Sequence, residues 1–299
     1  MTRSTVLIIG YGEMGHAMQV LLADRHELMI WDGQPIEGLE PVDLLQATTR
    51  AGYVIYCIPV TPLAGVAARI FPSLQPHSLS LVISKGLDEA GRTAPQALAS
   101  VYGDSHAFGV LYGPMIAEEM IRGRPGFAQV AARPAADYDR IAALFADSTL
   151  YLEPSQDMAG IAWSVILKNV YAILFGVADG LQLGDNVRGF LAVAALRELS
   201  GLVEVLGGDV TTPYRFAGLG DLVTTATSDS SHHHALGVRL ANGDRSEIAG
   251  EGVHTMAMVR QYGLLDTGSC PLYELAQVIV DGPVDPASCF NALLKQLLK

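Results

Sequence analysis

Basic residues are scarce in this chain of 299 residues, in which Lys and Arg together number 19 against 31 Asp and Glu, for a net charge of −12. We therefore expect no nucleic-acid partner, because binding to a phosphate backbone needs a basic surface. Only 17% of the residues are charged and 50% are apolar, which predicts packed cores rather than disorder. Lysine is especially rare. The lysines are Lys85, Lys168, Lys295 and Lys299.

Cysteine and long apolar runs are also lacking. The three cysteines have no metal-ligand spacing, so we expect neither a disulfide framework nor a bound metal. No run reaches the roughly 18 apolar residues of a transmembrane helix, and the nearest, 160–180, is interrupted by Lys168, Asn169 and Asp179. The first apolar run is short and leads straight into a glycine loop, as in a buried strand and unlike a signal peptide. We expect a soluble, cytoplasmic protein without membrane insertion.

The pattern of apolar residues changes along the chain. The first half alternates strand-like and helix-like segments, with strands predicted at Thr5–Ile9, Glu27–Trp31 and Tyr53–Pro59. Such alternation is typical of a doubly wound α/β sheet. Beyond residue 155, strand signals fade and long segments with a helical period follow. The sequence predicts a Rossmann-type dinucleotide-binding domain at 1–155 and an all-helical domain at 156–299.

A glycine loop, GYGEMG, follows the first predicted strand and opens a helix. Gly10 permits a tight turn, Gly12 lets a pyrophosphate approach the backbone, and Gly15 allows close helix–strand packing. Asp32 ends the second strand about 20 residues further on, where a carboxylate accepts hydrogen bonds from a ribose and repels a 2′-phosphate. NAD is therefore favoured over NADP. The alternatives are a purely structural turn for the loop and a turn cap for Asp32.

Lys168 lies in the apolar stretch 160–180. A buried ammonium must be paired or lose its charge, and an amine tuned in this way is a common catalytic device. The alternative is a lysine that snorkels from a helix edge. Lys85 follows a predicted strand at the sheet edge where ligands bind. Reduction of a ketone needs a cation or proton source at the developing alkoxide, for which both lysines are candidates.

Two further features bear on this chemistry. Asp221, in AGLGDLVTT, could pair with Lys168, or could cap the following helix. The consecutive residues His232, His233 and His234 would point about 100° apart on a helix, so they cannot converge on one metal ion. We favour binding of a substrate anion, with an exposed polar cluster as the alternative.

Taken together, these segments resemble the bacterial NAD(P)-dependent glycerol-3-phosphate dehydrogenases. The resemblance runs from about residue 5 to residue 260, and its most specific parts are KNVYAILFGVADGLQLGDN and AGLGDLVTT. It implies a dinucleotide domain followed by a helical domain, and the reversible interconversion of dihydroxyacetone phosphate and sn-glycerol 3-phosphate in phospholipid biosynthesis.

The resemblance also implies roles for individual residues, and Lys168 matches the catalytic lysine of the family. The other implied active-site residues are Lys85, Asn169, Asp221 and Thr225. The implied cofactor contacts are Gly10, Gly12, Glu13, Met14, Gly15, Asp32, Pro59, Ala117 and Glu251. The implied substrate contacts are Lys85, Ser231, His232 and His233.

The chain departs from the family pattern at the presumed phosphate site. Ser231 and the three histidines stand where the family commonly reads Ser-Arg-Asn-Arg, and imidazole binds phosphate more weakly than guanidinium and with pH dependence. The segment after Asp32 is short and has room for about one helix, which predicts an open adenine pocket. Besides a glycerol-3-phosphate dehydrogenase, two hypotheses stay open: a reductase of another small ketone or 2-keto acid, and a catalytically silent NAD-binding sensor. Composition is compatible with a homodimer.

Overall fold

The computed structural model describes residues 3–228 and 231–297. The chain forms two compact units. The first contains the residues up to Asp88 and Arg92–Met158, and the second contains Glu89–Gly91 and the residues from Ala159 onward. Glu89–Gly91 is held within the second unit by Tyr262, whose hydroxyl donates to the Glu89 carbonyl oxygen (2.7 Å).

The first unit contains a seven-stranded sheet with the order β2-β1-β3-β4-β5-β6-β7. The strands are β1 (Thr5–Ile9), β2 (Glu27–Trp31), β3 (Tyr53–Tyr56), β4 (Leu79–Val82), β5 (Ala107–Tyr112), β6 (Gly126–Arg133) and β7 (Leu150–Pro154). All neighbours pair in parallel except β5 and β6, which are antiparallel. Residues 6–9 of β1 are fully buried, as expected for a parallel strand covered on both faces.

Six helices accompany this sheet in the described part of the first unit. They are α1 (Glu13–Leu22), α2 (Leu44–Thr48), α3 (Val60–Ile70), α4 (Ala94–Tyr102), α5 (Ala117–Ile121) and α6 (Tyr138–Leu144). The segment after Asp32 holds only the short helix α2, capped by Asp43, whose carboxylate accepts from the Gln46 amide (2.8 Å). The Rossmann-type fold predicted from the alternating pattern is confirmed.

One strand boundary was predicted wrongly. The run Tyr53–Pro59 was expected to be strand throughout, but β3 ends at Tyr56. Pro59 lacks the N–H needed to continue a ladder, and it occupies the N-cap position of α3 instead. The chain therefore leaves the sheet at residue 57, and the turn that follows lies at the carboxyl end of β3.

The second unit is helical, as predicted. Its helices are α7 (Met158–Gly180), α8 (Asp185–Val205), α9 (Asp221–Thr227), α10 (His232–Ala241), α11 (Glu251–Tyr262), α12 (Pro271–Asp281) and α13 (Pro286–Leu297). Helix α7 is long and apolar enough to cross a membrane by composition alone, but its most apolar window is entirely buried inside the structure. A core helix of a globular protein passes the same test, and an all-round apolar helix is expected to be buried.

Glycines fix the crossing of α7 and α10. A Cβ on Gly176 would overlap the carbonyl oxygen of His234, and a Cβ on Gly237 would overlap that of Ile173. The backbones of the two helices are therefore in direct contact, which only residues without a side chain permit. This crossing sets the histidine-bearing first turn of α10 over the second half of α7.

Candidate active site

The glycine loop between β1 and α1 meets three different requirements. Gly10 has a φ of +98°, and a Cβ on it would lie 2.7 Å from the Cys57 carbonyl oxygen. A Cβ on Gly15 would overlap the Gly10 carbonyl oxygen, so this glycine permits the close packing of helix on strand. Gly12 differs, because no atom lies within 4 Å of its added Cβ. This open space at the start of a helix suits a pyrophosphate group.

Asp32 ties the end of β2 to this loop. One carboxylate oxygen accepts from the Tyr11 amide (2.8 Å) and the other from the Gln34 amide (3.0 Å). Asp32 thus caps its own turn, as one hypothesis held, and also faces the glycine loop. Each carboxylate oxygen has a second lone pair, and the side chain is only half-buried, so it can still accept from ribose hydroxyls. These residues fit a bound dinucleotide.

Other predicted residues of the first unit lie at the same edge of the sheet. Because β1, β3, β4 and β5 are parallel, the loops after them leave at one edge. Glu13 and Met14 begin α1, Pro59 precedes α3, Lys85 follows β4, and Ala117 begins α5. Ligands bind at this edge in open α/β sheets.

In the second unit, Lys168 lies at the centre of α7 with only 4% of its side chain exposed. Its Nζ donates to the Thr225 hydroxyl and lies 3.1 Å from a carboxylate oxygen of Asp221, which is equally buried. The hypothesis of a snorkelling lysine is therefore wrong. Asp221 is the first residue of α9 and does not cap it, because Gly220 holds the N-cap position. Lys168 and Asp221 thus form a buried ion pair, and the partly buried Thr225 hydroxyl binds the same ammonium.

A turn of π-helix positions Asp221. Residues Phe216–Gly220 form this turn, which the sequence did not predict and which leads directly into α9. A Cβ on Gly218 would overlap the Pro213 carbonyl oxygen, so the turn packs tightly on the preceding segment. The Thr224 hydroxyl donates to the Gly220 carbonyl oxygen (3.0 Å). Single π-turns occur often at functional sites, and here one directs a carboxylate at a buried ammonium.

Asn169 links α7 to the start of α11. Its side-chain amide donates to the Glu251 carboxylate (3.0 Å), whereas its Oδ1 is buried without a partner among the described residues. The next residue of α11, Gly252, donates its backbone N–H to Nε2 of His233 (3.2 Å). These hydrogen bonds bring together three of the predicted site residues, Asn169, Glu251 and His233.

The histidine run is divided among different partners. Ser231 caps α10 by accepting from the His234 amide (3.3 Å), and His232 is exposed. The imidazole of His234 bonds to the Asp179 carboxylate (2.7 Å), whose other oxygen accepts from Arg188 (2.6 Å). Although partial burial opposes it, these hydrogen bonds from Arg188 and His234 lower the pKa of Asp179. The sequence interpretation had not assigned Arg188 to the site, and only its position in LGDNVR after Asp179 signalled it.

A doubly wound sheet with this glycine loop, and with a carboxylate at the end of β2 that faces the loop, is typical of NAD(P)-dependent oxidoreductases. Comparison with known families is more specific. Residues 39–137 match the N-terminus model of NAD-dependent glycerol-3-phosphate dehydrogenase, and residues 157–291 match its C-terminus model. The chain belongs to this family. Since the N-terminal match begins at residue 39, the assignment of the glycine loop rests on the loop's own geometry.

Individual relatives agree with this conclusion. The glycerol-3-phosphate dehydrogenase [NAD(P)+] of Agrobacterium fabrum is 30% identical, covering 98% of this chain and 98% of the relative. That of Moorella thermoacetica is also 30% identical, covering 98% and 96%. The solved structure of glycerol-3-phosphate dehydrogenase from Coxiella burnetii has a TM-score of 0.83 at 24% identity, covering 98% and 99%, and shows the same fold. The resemblance inferred from the sequence motifs is confirmed.

Proposed function

We propose that this chain catalyses the NAD-dependent interconversion of dihydroxyacetone phosphate and sn-glycerol 3-phosphate, supplying glycerol phosphate for phospholipid biosynthesis. The observation that carries the proposal is the buried ion pair of Lys168 and Asp221, with the Thr225 hydroxyl on the same ammonium, in a chain of this family. A silent NAD-binding sensor would have no need of an ammonium and a carboxylate buried together, because such a pair is costly to desolvate.

In this proposal, Lys168 polarises the ketone oxygen and donates the proton that completes the new hydroxyl group. An ammonium in a buried site stabilises a developing alkoxide far better than one in water. Asp221 holds the ammonium from one side and Thr225 from another, which fixes its direction. Asn169, the next residue on α7, is held by Glu251. Its buried Oδ1 is an acceptor for a substrate hydroxyl.

We assign the dinucleotide to the loop of the first unit. Gly10, Gly12 and Gly15, with Glu13 and Met14, would surround the pyrophosphate, and Asp32 would accept from the ribose. Pro59, Ala117 and Glu251 are the further proposed contacts. NADH, when bound, supplies the hydride. NAD is preferred in this proposal because Asp32 is anionic and Gly33-Gln34-Pro35 follows it without a cation.

We propose that the first turn of α10 contacts the substrate phosphate and that Lys85 is also a substrate contact. Ser231 and exposed His232 lie at this helix N-terminus, where an anion is favoured by the helix dipole. His233 is also expected to contact substrate, but its Nε2 is already engaged by the Gly252 amide. The proposed phosphate contacts on α10 are therefore Ser231 and His232.

The test is oxidation of NADH at neutral pH with dihydroxyacetone phosphate, compared with dihydroxyacetone and 2-ketopantoate. Saturable turnover of the phosphorylated ketone alone supports the proposal. Lys168→Met should bind NADH normally and fail to oxidise it. If Lys168→Met oxidised NADH with these ketones, the proposed role of the lysine as proton donor would be refuted.

A second candidate, reduction of a nonphosphorylated ketone or 2-keto acid, is favoured by one observation. Two of the three histidines that stand at the phosphate position bond to groups of the chain itself, His233 to Gly252 and His234 to Asp179. Turnover of 2-ketopantoate but not of dihydroxyacetone phosphate would select this candidate.

We further propose a cytoplasmic homodimer. The acidic, apolar-rich composition of the chain is compatible with such a dimer. Sedimentation of the purified protein should give the mass of a dimer. A monomeric wild type would refute it.

A further inference from the structure

Helix α11 begins without a cap of its own. Its N-cap residue, Gly250, has a φ of +126° and no side chain with which to accept from the first turn. The first N–H groups of a helix need acceptors from elsewhere. One of them, on Gly252, donates to Nε2 of His233 on α10 (3.2 Å). The imidazole therefore serves as the cap that the local sequence does not provide.

The fit around this bond is close on both sides. A Cβ on Gly252 would lie 3.3 Å from Cδ2 of His233 and 2.8 Å from the carbonyl oxygen of Asn169. The first turn of α11 is thus held between the imidazole of α10 and the backbone of α7. Because a backbone N–H can only donate, Nε2 must be unprotonated, and the neutral ring carries its proton on Nδ1.

The same turn carries a residue of the site. Glu251, immediately before Gly252, accepts from the side-chain amide of Asn169 (3.0 Å), and Asn169 follows Lys168 on α7. We propose that His233 is a positioning residue: by capping α11 it fixes Glu251, and through Glu251 it fixes the side chain of Asn169. The kinetic consequence rests on the proposed function, whereas the structural consequence does not.

Amide hydrogen exchange tests the structural consequence in the free protein. His233→Ala should speed exchange in the first turn of α11 by about 2- to 10-fold, the loss of one hydrogen bond. His233→Gln should restore protection, because its side-chain carbonyl oxygen can accept from the Gly252 amide. His232→Ala is the matched control, since this neighbour is exposed and makes no such bond in the structure, and it should leave exchange unchanged. Equal rates in His233→Ala and wild type would overturn the proposal.

Steady-state kinetics tests the second consequence and separates positioning from phosphate binding. With dihydroxyacetone phosphate, His233→Ala should lower kcat by about 2- to 10-fold at little cost in KM, and His233→Gln should recover it. A rise in KM with kcat unchanged would make His233 a phosphate ligand and overturn the positioning role. If the wild type did not reduce dihydroxyacetone phosphate, the proposed function would fail, and the exchange rates would still decide whether His233 caps α11.

Discussion

Replacement of Lys168 by methionine removes the ammonium while retaining an unbranched side chain of similar length. Asp221 would then remain as a carboxylate with 4% of its side chain exposed and its cation 3.1 Å away deleted. Loss of one partner from a buried ion pair costs about 3–5 kcal/mol, because the other charge stays buried and uncompensated. We expect a loss of that order in the free energy of unfolding, measured with urea at pH 7.

The pairing itself is tested by a second substitution. Lys168→Met with Asp221→Leu should be more stable than Lys168→Met alone, because the double variant also removes the buried carboxylate that has lost its ammonium. Ser164→Ala is the matched control on the same helix, since its hydroxyl is fully buried without a partner among the described residues, and its removal should be nearly neutral. If Lys168→Met were as stable as Ser164→Ala, the ion pair of Lys168 and Asp221 would not contribute to stability as their short distance indicates.

The same variant has a catalytic consequence. Removal of a positioned proton donor lowers the rate by about 10²–10⁴-fold, so Lys168→Met should lose at least two orders of magnitude in single-turnover NADH oxidation. NADH affinity, measured by fluorescence titration, should stay within about twofold, since Lys168 is not among the proposed dinucleotide contacts. Retention of more than a tenth of the wild-type rate would refute the proton-donor role.

Three other perturbations have definite expected outcomes. Gly15→Ala should lower the free energy of unfolding in urea by about 1–3 kcal/mol, because its Cβ would overlap the Gly10 carbonyl oxygen. Gly12→Ala, at a φ of −74° in open space, should leave the free energy of unfolding unchanged and weaken NADH binding. Equal stability of the two variants would contradict this reasoning. Asp32→Asn should narrow the preference for NADH over NADPH in kinetic competition, and an unchanged ratio would show that the carboxylate does not select the cofactor. Burial, with the Arg140 charge, lowers the pKa of His106 to about 4, so the free energy of unfolding should fall as pH drops from the ordinary histidine pKa of about 6.5 toward 4. His106→Gln should flatten the dependence of the free energy of unfolding on pH between about pH 5 and 7. An unchanged dependence would show that His106 is not responsible for it.

The sequence predicted the elements whose patterns are local. The bounds of β1 and β2 are as predicted, and so are the tight turn at Gly10 and the close packing at Gly15. Helices α4 and α6 and strand β7 were not predicted. Helix α4 does have a local signal, a capping box formed by Thr93 and Gln96, which the sequence analysis missed. Strand β7 depends instead on the long-range pairing of residues 150–154 with β6.

In the candidate site, too, some features were predictable from the sequence and others were not. A buried lysine within an apolar helix was evident from composition, and so was a carboxylate that could pair with it. The partners of the histidines were not predictable, because His233 meets Gly252 and His234 meets Asp179 only after α10 crosses α7 at Gly176. Consecutive histidines look equivalent in a sequence, whereas the helix sends each toward a different neighbour.

The most direct test of the account is NADH oxidation by the wild type and by Lys168→Met, with dihydroxyacetone phosphate and with 2-ketopantoate at neutral pH. The account predicts saturable turnover of dihydroxyacetone phosphate by the wild type, none of 2-ketopantoate, and a loss of at least about 100-fold in Lys168→Met. Wild-type turnover of 2-ketopantoate alone, or equal activity of the two proteins, would contradict it.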